Sequence, residues 1–138
     1  MNESIKAVHL AHTDGVCSDV TAFDSGVTAR AVAFHQGLPD YAPTPLADLK
    51  RLAAGLGLGR LAVKDESGRF GLNSFKGLGA SYAVARYLAQ RLGLSEGEMT
   101  YEKLTKPEHR DQLRKVTLVT ATDGNHGRGI AWAAKIFG

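Results

Sequence analysis

The sequence predicts an α/β fold in which a parallel sheet is flanked by helices, and three patterns predict it. A short apolar run at 60–64 follows a glycine turn. A long amphipathic pattern begins at Ser74, and a second β-rich run at 116–121 leads into another helical pattern. Strand, helix, strand, helix in that order implies parallel strands joined by right-handed crossovers.

Each element has its own signal. Residues 1–26 show no periodicity and are expected to be irregular, leaving 27–138 as the α/β unit. A helix is expected over 27–36, stopped by Gly37 and Pro39, and Pro43-Thr44-Pro45 reads as an extended connector. Leu46, Leu49 and Ala53 share a face of a helix expected over 46–54, after which Gly55, Gly57 and Gly59 mark a turn into a buried strand at 60–64. From Ser74, the residues Phe75, Leu78, Tyr82, Ala85, Ala89 and Leu92 recur at helical steps as far as Gly93. Residues 95–114 are polar and predict one or two short helices broken at Pro107. The run 116–121 predicts a second core strand, and 125–137 a helix packing through Ile130, Ala133, Ala134 and Phe137.

Composition narrows the function classes. With 43% hydrophobic and 22% charged residues, disorder is a poor reading. Seventeen Lys and Arg are interleaved with fourteen Asp and Glu for a net charge of +3, so no nucleic-acid footprint stands out. No leader-like or membrane-spanning stretch is present, so neither secretion nor membrane insertion is expected. The single cysteine, Cys17, cannot form an internal disulfide, which points to a reducing compartment and a cytoplasmic location. His9 and His12 have one-turn spacing but no third ligand nearby, so no metal site is expected.

Two glycine-rich loops hold the residues suited to chemistry, and both are strand-to-helix loops that should face each other at one sheet edge. The first runs over 64–77 and the second over 120–127; neither contains a dinucleotide or P-loop motif. Lys76 lies in a first helical turn, capped by Asn73 or Ser74, where the helix dipole disfavours an ammonium group. With Phe75, Gly77 and Leu78 beside it, burial would supply the desolvation that imine formation with an aldehyde cofactor requires, although a lone lysine is more often a solvated one. Asp123 suits a general base or an N-cap, and the N–H groups around Thr122, Gly124 and Asn125 suit a substrate carboxylate. Asn125 can reach a phenolic oxygen or serve as a turn residue, and His126 is expected to fill space behind the loop. Lys64-Asp65-Glu66 reads as a strand end with local ion pairs, and Arg69 and Arg128 suit an anion but read more simply as solvated surface residues.

The stretches Lys64-Asp65-Glu66-Ser67, Arg69-Phe70-Gly71-Leu72-Asn73-Ser74-Phe75-Lys76 and Thr122-Asp123-Gly124-Asn125-His126-Gly127-Arg128-Gly129 together resemble the diaminopropionate ammonia-lyases. These are pyridoxal 5′-phosphate enzymes of the tryptophan synthase β-like fold. The resemblance extends from about Ala29 to the end. It implies that 27–138 is the N-terminal portion of such a catalytic domain, a partial member that does not turn over substrate alone. It also implies conversion of 2,3-diaminopropionate, a small amino acid, to pyruvate and ammonia by α,β-elimination, in an enzyme that is a homodimer at full length. Lys76 would hold the cofactor and act as acid–base group. Asn125 would meet the cofactor's 3-hydroxyl, Asp123 would remove the α-proton of the D-isomer, and Thr122, Asp123, Gly124 and Asn125 would bind the substrate carboxylate. A serine or threonine dehydratase-like enzyme and a non-catalytic α/β fragment are the alternatives.

Overall fold

The computed structural model describes residues 24–122 and 124–138. His9, His12, Cys17 and Asp123 therefore lie outside the described residues, as does most of the segment 1–26.

The first helix, α1 (Ser25–Gln36), starts where Asp24 accepts the Val27 N–H at 2.7 Å, satisfying one of the four N–H groups that a helix start leaves unpaired. It buries Phe34, whose ring meets Tyr82 edge-on at 5.3 Å between centroids. Burial holds the pKa of His35 below its usual value, so the neutral ring donates from Nε2 to the Leu78 carbonyl at 2.9 Å.

The helix expected over 46–54 begins late. Pro43 and Pro45 bias the residues before them to extended backbone, and the chain enters this segment already stretched. Leu46–Asp48 forms strand β1, and only Lys50–Gly55 is helical, as α2. The strand expected at 60–64 is present as β2 (Ala62–Lys64), but it pairs antiparallel with β1 in the register Leu46↔Lys64, Ala47↔Val63, Asp48↔Ala62, and both strands are exposed rather than buried. The Leu49 and Asp65 N–H groups extend the pairing to Leu61 and Pro45 carbonyls at 2.8 and 2.9 Å. Residues 116–121 form no strand among the described residues. A strand is stable only with a partner for its backbone groups, none is offered here, and Val119 is 89% exposed. The parallel sheet expected from the sequence is thus absent from the described residues.

The long helix α3 (Lys76–Leu92) ends as expected at Gly93, whose φ of +69° suits glycine; the Leu94 N–H then bonds back to the Ala89 carbonyl at 2.9 Å. Its buried stripe is Gly77, Ala80, Ser81, Val84, Ala85, Leu88 and Ala89. Phe75, expected on that stripe, precedes the helix and is 59% exposed. Residues 95–113 fold as short pieces: a 3₁₀ turn at Glu96–Glu98, α4 (Tyr101–Leu104), a 3₁₀ turn at Pro107–His109 and α5 (Arg110–Leu113). The break at Pro107 matches expectation. Thr100 caps α4 by accepting the Lys103 N–H at 3.2 Å, and Leu104 is fully buried. The last helix, α6 (Asn125–Phe137), buries Gly129, Ala133 and Phe137. Ala134, expected in that face, is exposed.

The core is the contact of α3 with α6, closed on its flanks by Phe34, Leu38, Met99, Leu104 and Leu113. The two helices approach closely at Gly129. A Cβ there would lie 3.0 Å from the Lys76 carbonyl oxygen and 3.3 Å from the Ala80 Cβ, so a side chain would push the helices apart. Gly79, on the exposed side of α3, has open space. Gly129→Ala is expected to lower stability by about 1–3 kcal/mol of overpacking despite its better helix propensity, whereas Gly79→Ala raises stability by about 0.5–1 kcal/mol. Urea unfolding followed by far-UV circular dichroism checks both, and shifts of the same sign would contradict the crossing geometry.

Candidate functional site

The first loop leaves β2 at Lys64 and turns at once. The Asp65 carboxylate accepts the Ser67 N–H at 3.0 Å, and these hydrogen bonds with Ser67 lower the Asp65 pKa. Glu66 and Arg69 then form a two-pronged ion pair: Arg69 Nε donates to Glu66 Oε2 at 2.8 Å, and a terminal guanidinium nitrogen donates to Oε1 at 3.0 Å. The other terminal nitrogen donates to the Ala42 carbonyl at 2.8 Å, and Thr44 Oγ1 accepts from Arg69 at 3.0 Å while its hydroxyl donates to Glu66. The hydrogen bond from Arg69 holds the Glu66 carboxyl at a pKa of about 2. Arg69 is only 6% exposed, which corrects the expectation of a solvated residue: four oxygen acceptors and the Tyr41 and Phe70 rings replace its water. In the sequence, Tyr41 and Thr44 read only as parts of longer runs, and Glu66 as part of a strand end with local ion pairs; its i, i+3 pair with Arg69 agrees with that reading.

The loop then reaches α6. Phe70 stacks on Trp132 with ring centroids 4.3 Å apart. Ser74 Oγ accepts the Lys76 N–H at 3.2 Å, so Ser74 rather than Asn73 tends the start of α3. Lys76 is exposed, which overturns the expectation of a buried amine. Sequence neighbours on a helix point about 100° apart. Phe75 faces solvent, Gly77 carries no side chain and Leu78 is half-buried, its carbonyl accepting from His35 of α1.

The second loop is represented by Thr122 and Gly124 onward. Thr122 lies against Gly127, where a Cβ would clash with its methyl group, and the Gly124 carbonyl accepts the Arg128 N–H at 3.1 Å. Asn125, the first residue of α6, is exposed, and so is His126, which therefore does not fill space behind the loop. Gly129, the residue that touches the Lys76 backbone, is four positions along α6 from Asn125, about 6 Å at 1.5 Å per residue. The structure thus sets the Lys76 turn against α6 at Gly129, about one helical turn beyond Asn125, while Asp123 itself lies outside the described residues.

Comparison with known proteins adds three findings. A family model described as pyridoxal-phosphate dependent enzyme matches residues 38–138. Diaminopropionate ammonia-lyase from Salmonella typhimurium (strain LT2) is 48% identical over 124 residues, which are 90% of this chain and 31% of that protein; the Escherichia coli (strain K12) protein of the same name is 44% identical over 116 residues, 84% of this chain and 28% of that one. The crystal structure of Escherichia coli diaminopropionate ammonia lyase in apo form superposes with a TM-score of 0.68 at 39% identity, covering 85% of this chain and 31% of that chain. The chain spans about a third of the length of the curated relatives it matches.

The ion pair in the first loop generates a pH prediction. A carboxyl whose folded pKa lies below its unfolded one adds stability above the unfolded value and loses it as pH falls through the folded value; for Glu66 that window runs from 4.5 down to about 2. Glu66→Gln is expected to cost about 3 kcal/mol at pH 7, because it leaves Arg69 without its counter-charge. The variant then loses less than the wild type between pH 5 and pH 2. Urea midpoints across that range check it, and parallel curves would contradict the assignment.

Proposed function

The chain belongs to the pyridoxal-phosphate dependent enzyme family, and from that premise we propose that it carries the lysine and the substrate loop of a carbon–nitrogen lyase acting on 2,3-diaminopropionate. The observation that carries the reading is the helix crossing, which brings the Lys76 turn within about one helical turn of Asn125. The similarity to diaminopropionate ammonia-lyases supports the substrate class.

The residues present fit pyridoxal 5′-phosphate. Lys76 stands at the start of α3, where an aldehyde can reach its amine but burial in this chain does not desolvate it, and the Asn125 amide is exposed on the helix packed beside it. In this reading Lys76 Nζ holds the cofactor covalently and moves the α-proton of the L-isomer, while Asp123 removes that of the D-isomer. The Asn125 side chain donates to the cofactor's 3-hydroxyl oxygen. The backbone of Thr122, Asp123, Gly124 and Asn125 binds the substrate carboxylate, where the unpaired N–H groups at the start of α6 favour an anion. When bound, the cofactor supplies an electron sink for the charge released at the substrate's α-carbon. Overall, 2,3-diaminopropionate and one water give pyruvate and two ammonia. A cytoplasmic location and a homodimeric whole enzyme go with this reading, and the single cysteine supports the reducing compartment.

The exposure of Lys76 favours a second reading, a non-catalytic α/β unit that keeps the motifs. Reduction with borohydride after incubation with pyridoxal phosphate separates the two. The proposed function expects one dominant pyridoxyl adduct, on Lys76, that disappears in Lys76→Ala; adducts spread evenly over the surface lysines would establish the second reading. For a whole enzyme carrying this loop, Asp123→Asn is expected to lower turnover of the D-isomer about 100-fold or more and that of the L-isomer far less. Steady-state assays on both isomers check this, and equal losses would remove Asp123 from the assigned role.

A further inference from the structure

Arg69 is the one charged side chain buried among the described residues, and its partners come from two separate stretches of chain. Ala42 and Thr44 belong to the extended connector ahead of β1, whereas Glu66 and Phe70 belong to the loop after β2. The guanidinium therefore rivets connector to loop. Apolar residues of similar volume often stabilise a fold as well as a buried ion pair does, so stability alone is a weak account of this cluster. Its geometry supplies a better one.

Immediately after Arg69, the backbone takes positive φ at Phe70 (+50°), Gly71 (+67°) and Asn73 (+55°). Gly and Asn adopt this conformation readily, whereas for Phe it is unfavourable on its own and persists only where surrounding contacts enforce it. Two contacts do so. The Arg69 guanidinium sits 5.6 Å from the Phe70 ring centroid, and the other side of the loop is held by the stack of Phe70 on Trp132. The same group bounds Gly77: a Cβ there would be 2.8 Å from Leu72 Cδ1, 3.3 Å from Phe70 and 3.6 Å from Trp132. A continuous line of contacts thus runs from Arg69 through Phe70 and Trp132 to Gly77, the residue after Lys76.

We propose that Arg69, held by Glu66 and Thr44, is a positioning residue for Lys76: it locks the 70–73 turn, with its positive-φ residues Phe70, Gly71 and Asn73, onto Trp132 and so fixes where α3 begins. The role rests on the reading of Lys76 as the cofactor lysine, and it adds a residue that touches neither cofactor nor substrate. Lysine at position 69 would keep the charge but lose the planar fork that spans two strands of chain. Thr44→Val removes a single hydroxyl and is the milder probe.

Trp132 is the chain's only tryptophan, so its fluorescence reports the stack directly. The test compares wild type, Arg69→Lys and Thr44→Val by circular dichroism, Trp132 emission, amide hydrogen exchange and the rate of borohydride-trapped labelling at Lys76 by pyridoxal phosphate. Both variants are expected to keep their helix content and to shift the emission to the red. In Arg69→Lys, exchange over 72–77 speeds up about tenfold with α4 and α5 unchanged, and labelling at Lys76 slows about tenfold. Thr44→Val shows smaller changes in the same directions and carries the test if Arg69→Lys loses its helices. Unchanged exchange over 72–77, exchange that rises equally throughout the chain, or labelling at the wild-type rate would each overturn the proposal. If wild type itself takes no label at Lys76, the cofactor reading fails and the positioning role falls with it, whatever the exchange shows.

Discussion

The structure depends on one place where α6 packs against α3 through a glycine, with no room for a side chain between them. At Gly129 the backbone of α6 meets the first turn of α3 with no Cβ between them, so the Lys76 carbonyl and the Ala80 methyl are the surfaces it touches. Ala133 and Phe137 follow down α6 at four-residue steps and meet the core that Ala85, Leu88 and Ala89 help to form. The packing that builds the core therefore also decides which residues stand at the open end. Those are Lys76 on one helix and Asn125 on the other, each at or beside an N-terminus where backbone N–H groups are unpaired.

The three long helices were legible in the sequence because each satisfies a local rule. The apolar stripes of α3 and α6 repeat at helical steps, Gly37 and Gly93 stop α1 and α3, and the observed bounds of all three fall within two residues of expectation. The sheet was not legible, because its determinants are not local. Leu46, Leu49 and Ala53 fit a helical face and also fit a strand followed by a short helix; pairing with Ala62–Lys64 across the intervening α2 decides between them. Residues 116–121 have strand composition, yet composition cannot supply the neighbouring backbone that a strand requires.

The site divides the same way. The expectation that the two loops face each other comes from alternating strand and helix signals and glycine content; the described contacts instead join the first loop to α6 itself, through Phe70 on Trp132 and the Lys76 turn on Gly129. The burial of Lys76 was inferred from adjacent residue types, a poor guide on a helix, where neighbours point in different directions. Arg69 shows the opposite failure. Its residue type argues for the surface; Glu66 and Phe70 lie close by in sequence, but the Ala42 carbonyl, the Thr44 hydroxyl and the Tyr41 ring that complete its enclosure come from well over twenty positions away. Enclosing that side chain ties residues 41–44 to the loop ahead of α3.

The most direct measurement is an isotope-edited nuclear Overhauser spectrum of the folded chain. If α6 crosses α3 at glycine, the Gly129 α-protons show a strong cross-peak to the Ala80 methyl group. A well-dispersed spectrum in which that cross-peak is missing would contradict the crossing, and with it the juxtaposition of Lys76 and Asn125.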